Sequence, residues 1–245
     1  MVHRTVTLFS IIFALAFSVK AQNILPDSNI TDNRIDKAVS YFYQNIGEQA
    51  EIYNGIEYLF APRAYRGNPY YRDTIQFTPA MIKFNDTWYK NIPVLYDDYR
   101  GLLVASRPVN HAIFILKSTQ IAEFYIEDHH FIHITQPDSA NGFLKPGYYE
   151  SLYNNKTTVL ARHYKERSER VVQPAVEVTF TPQIAYYIKK NNIIYNVNSK
   201  NSVLKAFKDK KTELAAYLKK NNIVFNDNKA LALIKLAAYY DQISQ

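Results

Sequence analysis

Cysteine is missing from the 245-residue chain, glycine is scarce at 6 residues, and tryptophan occurs once. Each shortage excludes something. Without cysteine there is no disulfide scaffold, no thiolate metal site, no cysteine nucleophile and no lipid-modified cysteine. The scarce breakers are also unevenly placed. All six glycines lie at or before Gly147 and all 10 prolines at or before Pro182, so the last 63 residues contain neither. A stretch without breakers is helical territory, whereas Gly, Pro, Asn and Asp mark turns. Motifs for familiar chemistry are missing too: no G-x-S-x-G elbow, P-loop, H-E-x-x-H or G-x-G-x-x-G occurs. No cofactor and no metal site is implied by any motif.

What is present begins with an address. Arg4 precedes an apolar run of 14 residues from Val6 to Val19, and Val19-Lys20-Ala21 closes it. Charge, short apolar core and small residues before a cut form the plan of a secretory leader, with cleavage expected after Ala21. The run is shorter than the roughly 20 residues of a spanning helix. No later stretch supplies a second span, since the most apolar one, Ala230 to Tyr240, carries Lys235. The expectation is an exported protein, periplasmic, outer-membrane-associated or secreted.

The middle of the chain alternates short aromatic and β-branched runs with turn pairs. Ile82 to Phe84 and Trp88-Tyr89 flank Asn85-Asp86, and Ile92 to Tyr96 and Leu102 to Ala105 flank Asp97-Asp98 and Arg100-Gly101. His111 to Leu116, Ile121 to Ile126 and Phe131 to Ile134 follow, then Tyr148 to Tyr153 and Thr158 to Tyr164 around Asn154-Asn155. Ile184 to Ile188 and Ile193 to Val197 flank Asn191-Asn192. Such pairs tolerate positive φ, which tight hairpins need. An aromatic-turn-aromatic unit recurs at Tyr53 to Tyr58, Phe84 to Tyr89 and Tyr153 to Asn155, as any aromatic-rich hairpin would. The pattern predicts an α+β fold built on an antiparallel β meander, as a sandwich, roll or small barrel.

Helical periodicity flanks the meander. Ile35, Ala38, Val39, Phe42, Tyr43 and Ile46 fall on one face of an N-terminal helix over Asn33 to Gln49. Val203, Leu204, Phe207, Leu214, Tyr217 and Leu218 form a second apolar face, with a restart near Asp209, and Leu231 to Tyr240 a third. The expected organisation is a leader over 1–21, a helical segment over 22–50, a β domain over 51–198 and a helical hairpin over 199–245.

Charge follows the same division. Residues 22–182 hold 16 basic and 18 acidic groups, whereas 183–245 hold 11 and 4, and every basic group in that tail is lysine. Groove reading and bidentate phosphate contacts favour arginine, so nucleic acid is excluded as a partner. The lysines are explained by solvated helix faces, by an acidic protein partner, or by an anionic envelope surface contacted by Lys189, Lys190, Lys210, Lys211, Lys219 and Lys220.

Two constellations invite chemistry. Glu127-Asp128-His129-His130-Phe131-Ile132-His133 concentrates ligands, but on a strand His129 and His133 stand ~13 Å apart and His130 points to the other face. A metal would require His111 or His163 from neighbouring strands. The 21 tyrosines include the pairs Tyr70-Tyr71, Trp88-Tyr89, Tyr148-Tyr149 and Tyr186-Tyr187, in which one member is expected in the core and the other outward. Outward rings stabilise sheets or stack on sugars and partners. Arg63, Arg66 and Arg72 interleave with Tyr65, Tyr70 and Tyr71, so Arg66, Tyr70, Tyr71 and Trp88 are the candidate binding residues. Three N-x-T sites (Asn29, Asn85, Asn155) and two Asp-Ser/Thr-apolar sites (Asp73, Asp138) are candidate glycosylation motifs.

The leader ending Lys20-Ala21-Gln22, Gly147-Tyr-Tyr-Glu-Ser-Leu-Tyr-Asn154 followed by Val159 to Lys165, Tyr186 to Asn192, Val197 to Leu204 and the closing Ala238-Tyr-Tyr-Asp241 resemble a family of uncharacterised exported proteins of Bacteroidota. The resemblance implies an envelope location and a compact β region with a helical tail, and carries over no catalytic residue. The resulting expectation is a structural or partner-binding envelope protein that engages a protein, a glycan or an anionic lipid surface. The alternative is a hydrolase of glycan or peptide. The binding reading expects no buried titratable cluster in a pocket, and a pocket joining two acids, or His111 with His129 or His133, would argue for the hydrolase.

Overall fold

The computed structural model describes residues 50–60, 66–136, 144–173 and 175–244. The expected leader, the N-terminal helix over Asn33 to Gln49, Arg63 and Tyr65 lie outside them.

Among the described residues, eleven strands form one antiparallel sheet: β1 (Ile56–Glu57), β2 (Thr78–Phe84), β3 (Thr87–Asp97), β4 (Leu102–Ser106), β5 (Ile113–Ile115), β6 (Ile121–Ile126), β7 (His129–Ile134), β8 (Gly147–Asn154), β9 (Thr158–Val172), β10 (Ala175–Lys190) and β11 (Ile193–Asn196). Their order, β1-β5-β4-β3-β2-β6-β7-β8-β9-β10-β11, is a meander in two runs. Helices α1 (Lys200–Ala206), α2 (Lys211–Lys220) and α3 (Lys229–Ile243) follow. The fold is therefore α+β, as the patterning predicts.

Local chemistry explains the turns. Asn85 and Asp86 adopt φ of 45° and 59°, and Asn191 and Asn192 49° and 61°. Both pairs thus make the doubly left-handed turn that suits the twist of the strands they join. The Trp88-Tyr89 and Ile92 to Tyr96 runs fuse into one strand, β3, because an extra residue is absorbed near Asn91 (φ 58°) where the β2 register shifts. The Tyr53 to Tyr58 unit is not a hairpin, since β1 pairs with β5. Only Gly55 fits there, because a Cβ would run into the Ile115 carbonyl.

The tail holds three helices where two were expected. Ser199 and Ser202 form a reciprocal capping box at the start of α1. The chain then leaves helical geometry at Phe207 and makes a short turn over Lys208–Lys210 before α2. Phe207 is fully buried and stacks on Tyr240 of α3 with ring centroids 4.4 Å apart. Packing of that ring fixes the break.

The largest apolar cluster lies on one face of the sheet, termed here the inner face. It runs from Ile52 and Tyr53 across Ile82, Phe84, Tyr96, Phe124 and Phe131 to Tyr148. A second cluster joins Val159, Ala161, Tyr186 and Ile188 to Leu204, Phe207, Leu214, Leu233 and Leu236 of the helices. The outer face carries two smaller clusters, one around Tyr149, Leu160 and Tyr187 and one around Tyr58, Tyr70, Leu95 and Val104. Both members of Tyr148-Tyr149 and of Tyr186-Tyr187 are consequently buried. The one-in, one-out expectation fails at both pairs because the sheet is covered on both faces there. It holds for Trp88-Tyr89, where Tyr89 is buried and Trp88 half-buried.

Candidate functional site: a fork between two strands

Strands β8 and β9 pair from Asn154–Thr158 as far as Glu150–Ala161 and then part. Beyond that point β8 continues to pair with β7 through Gly147, while β9 continues only with β10. The segment 66–70 spans the opening. Arg66 pairs with β10 through Val178 and Phe180, and Pro69 accepts from the Tyr99 amide just past β3. A cleft of about 770 Å³ lies at the fork, lined among others by Asp98, Arg100, Lys145, Tyr148, Arg162, His163, Lys165 and Lys229.

Glu150 stands at the vertex. Its two carboxylate oxygens face His129 Nδ1 of β7 at 2.5 Å and His163 Nε2 of β9 at 2.6 Å. A carboxylate only accepts, so each imidazole donates from the nitrogen that faces it. Burial pushes the Glu150 pKa up, but the hydrogen bonds from His163 and His129 outweigh it and hold the carboxyl below its usual range. Tyr71 fills the space beside them, its ring edge-on to His163 at 4.9 Å, Phe131 at 5.3 Å and His129 at 5.9 Å. The cluster therefore clamps β7, β8 and β9 together where backbone pairing stops. It is polar material set between the two inner-face apolar clusters.

Two further acids sit beside it at the β3–β4 turn. Asp97 is fully buried and satisfied: Oδ2 accepts from the Tyr58 hydroxyl at 2.7 Å and Oδ1 from the Arg100 amide at 2.9 Å. Asp98 differs. It is 6% exposed and its Oδ1 has no hydrogen-bond partner among the described residues. Burial, only partly offset by the Lys165 ammonium, pushes its pKa up to about 7. Lys165 is itself buried and paired with Asp73 at 2.6 Å.

The lining is strongly cationic. Five side chains, Arg100, Lys145, Arg162, Lys165 and Lys229, carry positive charge, and Asp98 is the one carboxylate that lines the cleft among the described residues. Arg100 lies 3.7 Å from Asp97 and Lys165 is paired with Asp73. Lys145, Arg162 and Lys229 have no ion-pair partner among the described acids, and Arg162 lies over the Tyr149 ring at 5.8 Å.

The residues singled out from the sequence are distributed as follows. Tyr70 and Tyr71 are buried, at 4% and 5% exposure, and pack within the fold rather than forming outward platforms. Arg66 is exposed and pairs with Glu177. Trp88 lies on the outer face, 5.9 Å from Tyr125, away from the fork. Lys190 is buried, bonded to Asp209 at 2.7 Å and seated over the Tyr240 ring at 4.9 Å, so it is a core cation rather than a surface contact. Lys189 lies on β10, Lys210 pairs with Glu213 at 3.6 Å, and Lys211 and Lys219-Lys220 occupy opposite ends of α2. With Lys190 buried, the six lysines do not together form one exposed face.

The histidines separate as the alternation requires. His129 and His133 are on the inner face, where His133 donates to the Ile121 carbonyl at 3.0 Å, and His130 is on the outer face against Glu123 at 2.8 Å. His111 precedes β5, with β4, β3, β2 and β6 between that strand and β7. No group of three His, Asp or Glu side chains suited to a metal ion occurs among the described residues. The sequence points to His163 only as a candidate metal partner, gives Asp97-Asp98 as solvated turn acids where the fold buries both, and does not identify Glu150 or Arg162. Nothing local distinguishes a glutamate in Tyr-Tyr-Glu-Ser-Leu from a solvated strand residue. A buried titratable cluster is nevertheless present at the cleft, contrary to the expectation attached to a binding protein.

No helix among the described residues is long and apolar enough to cross a membrane. Comparison of the chain with known protein families, curated proteins and solved structures finds no match.

Proposed function

We propose that the protein is an exported envelope protein that binds a partner through an anionic group held in the fork cleft. The leader-like N-terminus and the resemblance to exported Bacteroidota proteins support the location. The observation that carries the binding reading is the lining: three cations without a described acid partner, Arg162 on β9, Lys145 just before β8 and Lys229 at the start of α3, with Arg100 and Lys165 beside them around a cleft of about 770 Å³. Convergent positive charge in a partly enclosed site attracts carboxylate or phosphate, and Arg162 supplies the planar fork that recognises either.

Catalysis is the second reading, favoured by one residue. Asp98, buried with a pKa near 7 beside His163, is suited to accept or donate a proton at neutral pH. Glycoside hydrolysis ordinarily needs two acids flanking the bond, and Glu150 has both oxygens occupied by histidines. Binding is therefore the stronger reading.

The test is calorimetric titration with polygalacturonate and with inorganic pyrophosphate at low and moderate salt. Saturable, salt-sensitive binding that is lost in Arg162→Ala and Lys145→Ala is expected. Binding that survives both substitutions would refute the cleft as the site. Turnover abolished by Asp98→Asn would move the assignment to catalysis.

A further inference from the structure

The outer face carries a second concavity, independent of the fork. Trp88 on β3, Tyr125 on β6 and His130 on β7 form a strip between the two outer-face apolar clusters. Tyr125 and His130 are directly opposite in register and stack face to face, with centroids 4.3 Å apart and planes within 5°. Trp88 leans on the other side of Tyr125 at 5.9 Å, with Lys83 5.9 Å from its ring. Glu123 fixes the arrangement, accepting from His130 Nε2 at 2.8 Å and from Lys83 at 3.4 Å.

One face of the His130 ring is thus covered by Tyr125, and the position beyond it on β8 is Ser151. Phe131 and Glu150 are paired, so their neighbours His130 and Ser151 share the outer face, and Ser151 is paired in turn with Leu160 of β9. Along this cross-strand row the side chains run ring, ring, serine, leucine. The missing bulk at Ser151 leaves a groove of about 500 Å³, within the roughly 300–1,000 Å³ of small-ligand sites. Its wall is His130, its floor includes Ile132 and Leu160, and its rim offers Glu123, Asn154 and Thr158.

We propose that this groove binds a pyranose ring of a neutral oligosaccharide. A pyranose has an apolar C–H face and a rim of hydroxyls. The groove answers with an aromatic wall and aliphatic floor for the face, and with acceptors and amides for the hydroxyls. The stack of Tyr125 and Trp88 behind His130, with the Glu123 hydrogen bond, holds the wall in place before a ligand arrives, which lowers the ordering cost of binding.

The experiment is ¹⁵N NMR titration of the full chain with cellohexaose, maltohexaose and N-acetylchitohexaose, to about 10 mM, where millimolar Kd values are measurable. Saturable shifts at His130, Ser151 and Leu160 with at least one of the three are expected. Ser151→Leu fills the groove and should weaken that binding about tenfold or more, whereas Ser151→Ala should retain it. His130→Ala removes the wall without filling the floor and should also weaken it, which keeps the test decisive if the leucine variant does not fold. No saturable shift with any of the three sugars would overturn the proposal. So would shifts centred on Arg162 and Lys145, or binding by Ser151→Leu within about twofold of the parent.

Discussion

Replacing Asp98 with asparagine should change how stability depends on pH more than it changes stability itself. Asp98 has an ordinary pKa of 3.8 when unfolded and about 7 in the fold, mainly because burial disfavours its charge. The folded protein thus holds a proton on this carboxyl between those values that the unfolded chain releases. Stability from the protonated group is fully present below about pH 4 and is lost as pH rises through about 7. Each pH unit is worth ~1.4 kcal/mol, so the loss is on the order of 4 kcal/mol once the group is fully ionised. Asparagine keeps the shape and cannot ionise. Urea unfolding of both proteins at half-unit steps from about pH 4.5 to 8.5 should show near-equal stability at the acid end and a variant more stable by several kcal/mol at the alkaline end. Other titrating groups are common to both chains and largely cancel in the difference. Parallel profiles would refute the reasoning and place Asp98 in contact with water or with a stabilising cation when charged. Lys165→Met, which removes the ammonium that lowers the Asp98 pKa, should carry the parent's decline on to higher pH.

Glu150→Gln should cost about 3 kcal/mol, since it removes a buried charged acceptor shared by two half-buried imidazoles, and urea unfolding at neutral pH would measure this. Its pKa is held below the usual 4.5, so its contribution is present above that value and lost as pH falls through the lower folded one. The gap between the two proteins should therefore narrow in acid. Leu236→Ala, at a fully buried position between α3 and the sheet, should lose about 2–5 kcal/mol by thermal or chemical unfolding. Ser199→Ala should cost about 1 kcal/mol by removing the α1 cap, with circular dichroism showing the rest of the helix content intact.

The meander was legible because its short-range rules are local. Asn85-Asp86 and Asn191-Asn192 announce their hairpins, and alternation locates most strands between them. The stretch from Lys165 to Gln183 was not legible as strand. Glu166 to Val172 are exposed on β9, and a strand wet on both faces shows no apolar alternation. Pro182, the last of the prolines, lies within β10. It is tolerated because β11 pairs only with Tyr187–Lys190, leaving one side of β10 open at that point. The candidate site was the least legible part. His129 and His163 reach one carboxylate from strands on either side of β8, a convergence that follows from register and from the parting of β8 and β9. The sequence offers Tyr70 and Tyr71 for an outward role, whereas the fold buries both.

The parting of β8 from β9 also bears on how the molecule assembles. Strands β2 to β8 are consecutive in the chain, and so are β9 to β11 with the three helices, so the pairings within each block span less of the chain than the crossing does. The crossing at residues 66–70 joins β3 to β10 over more than a hundred residues, and its loop-closure entropy is recovered only when both blocks already exist. Assembly is then two local condensations followed by one long-range latch. The Arg66 and Phe180 amides should exchange with solvent before the hairpin interiors do, making the latch the last structure gained and the first released.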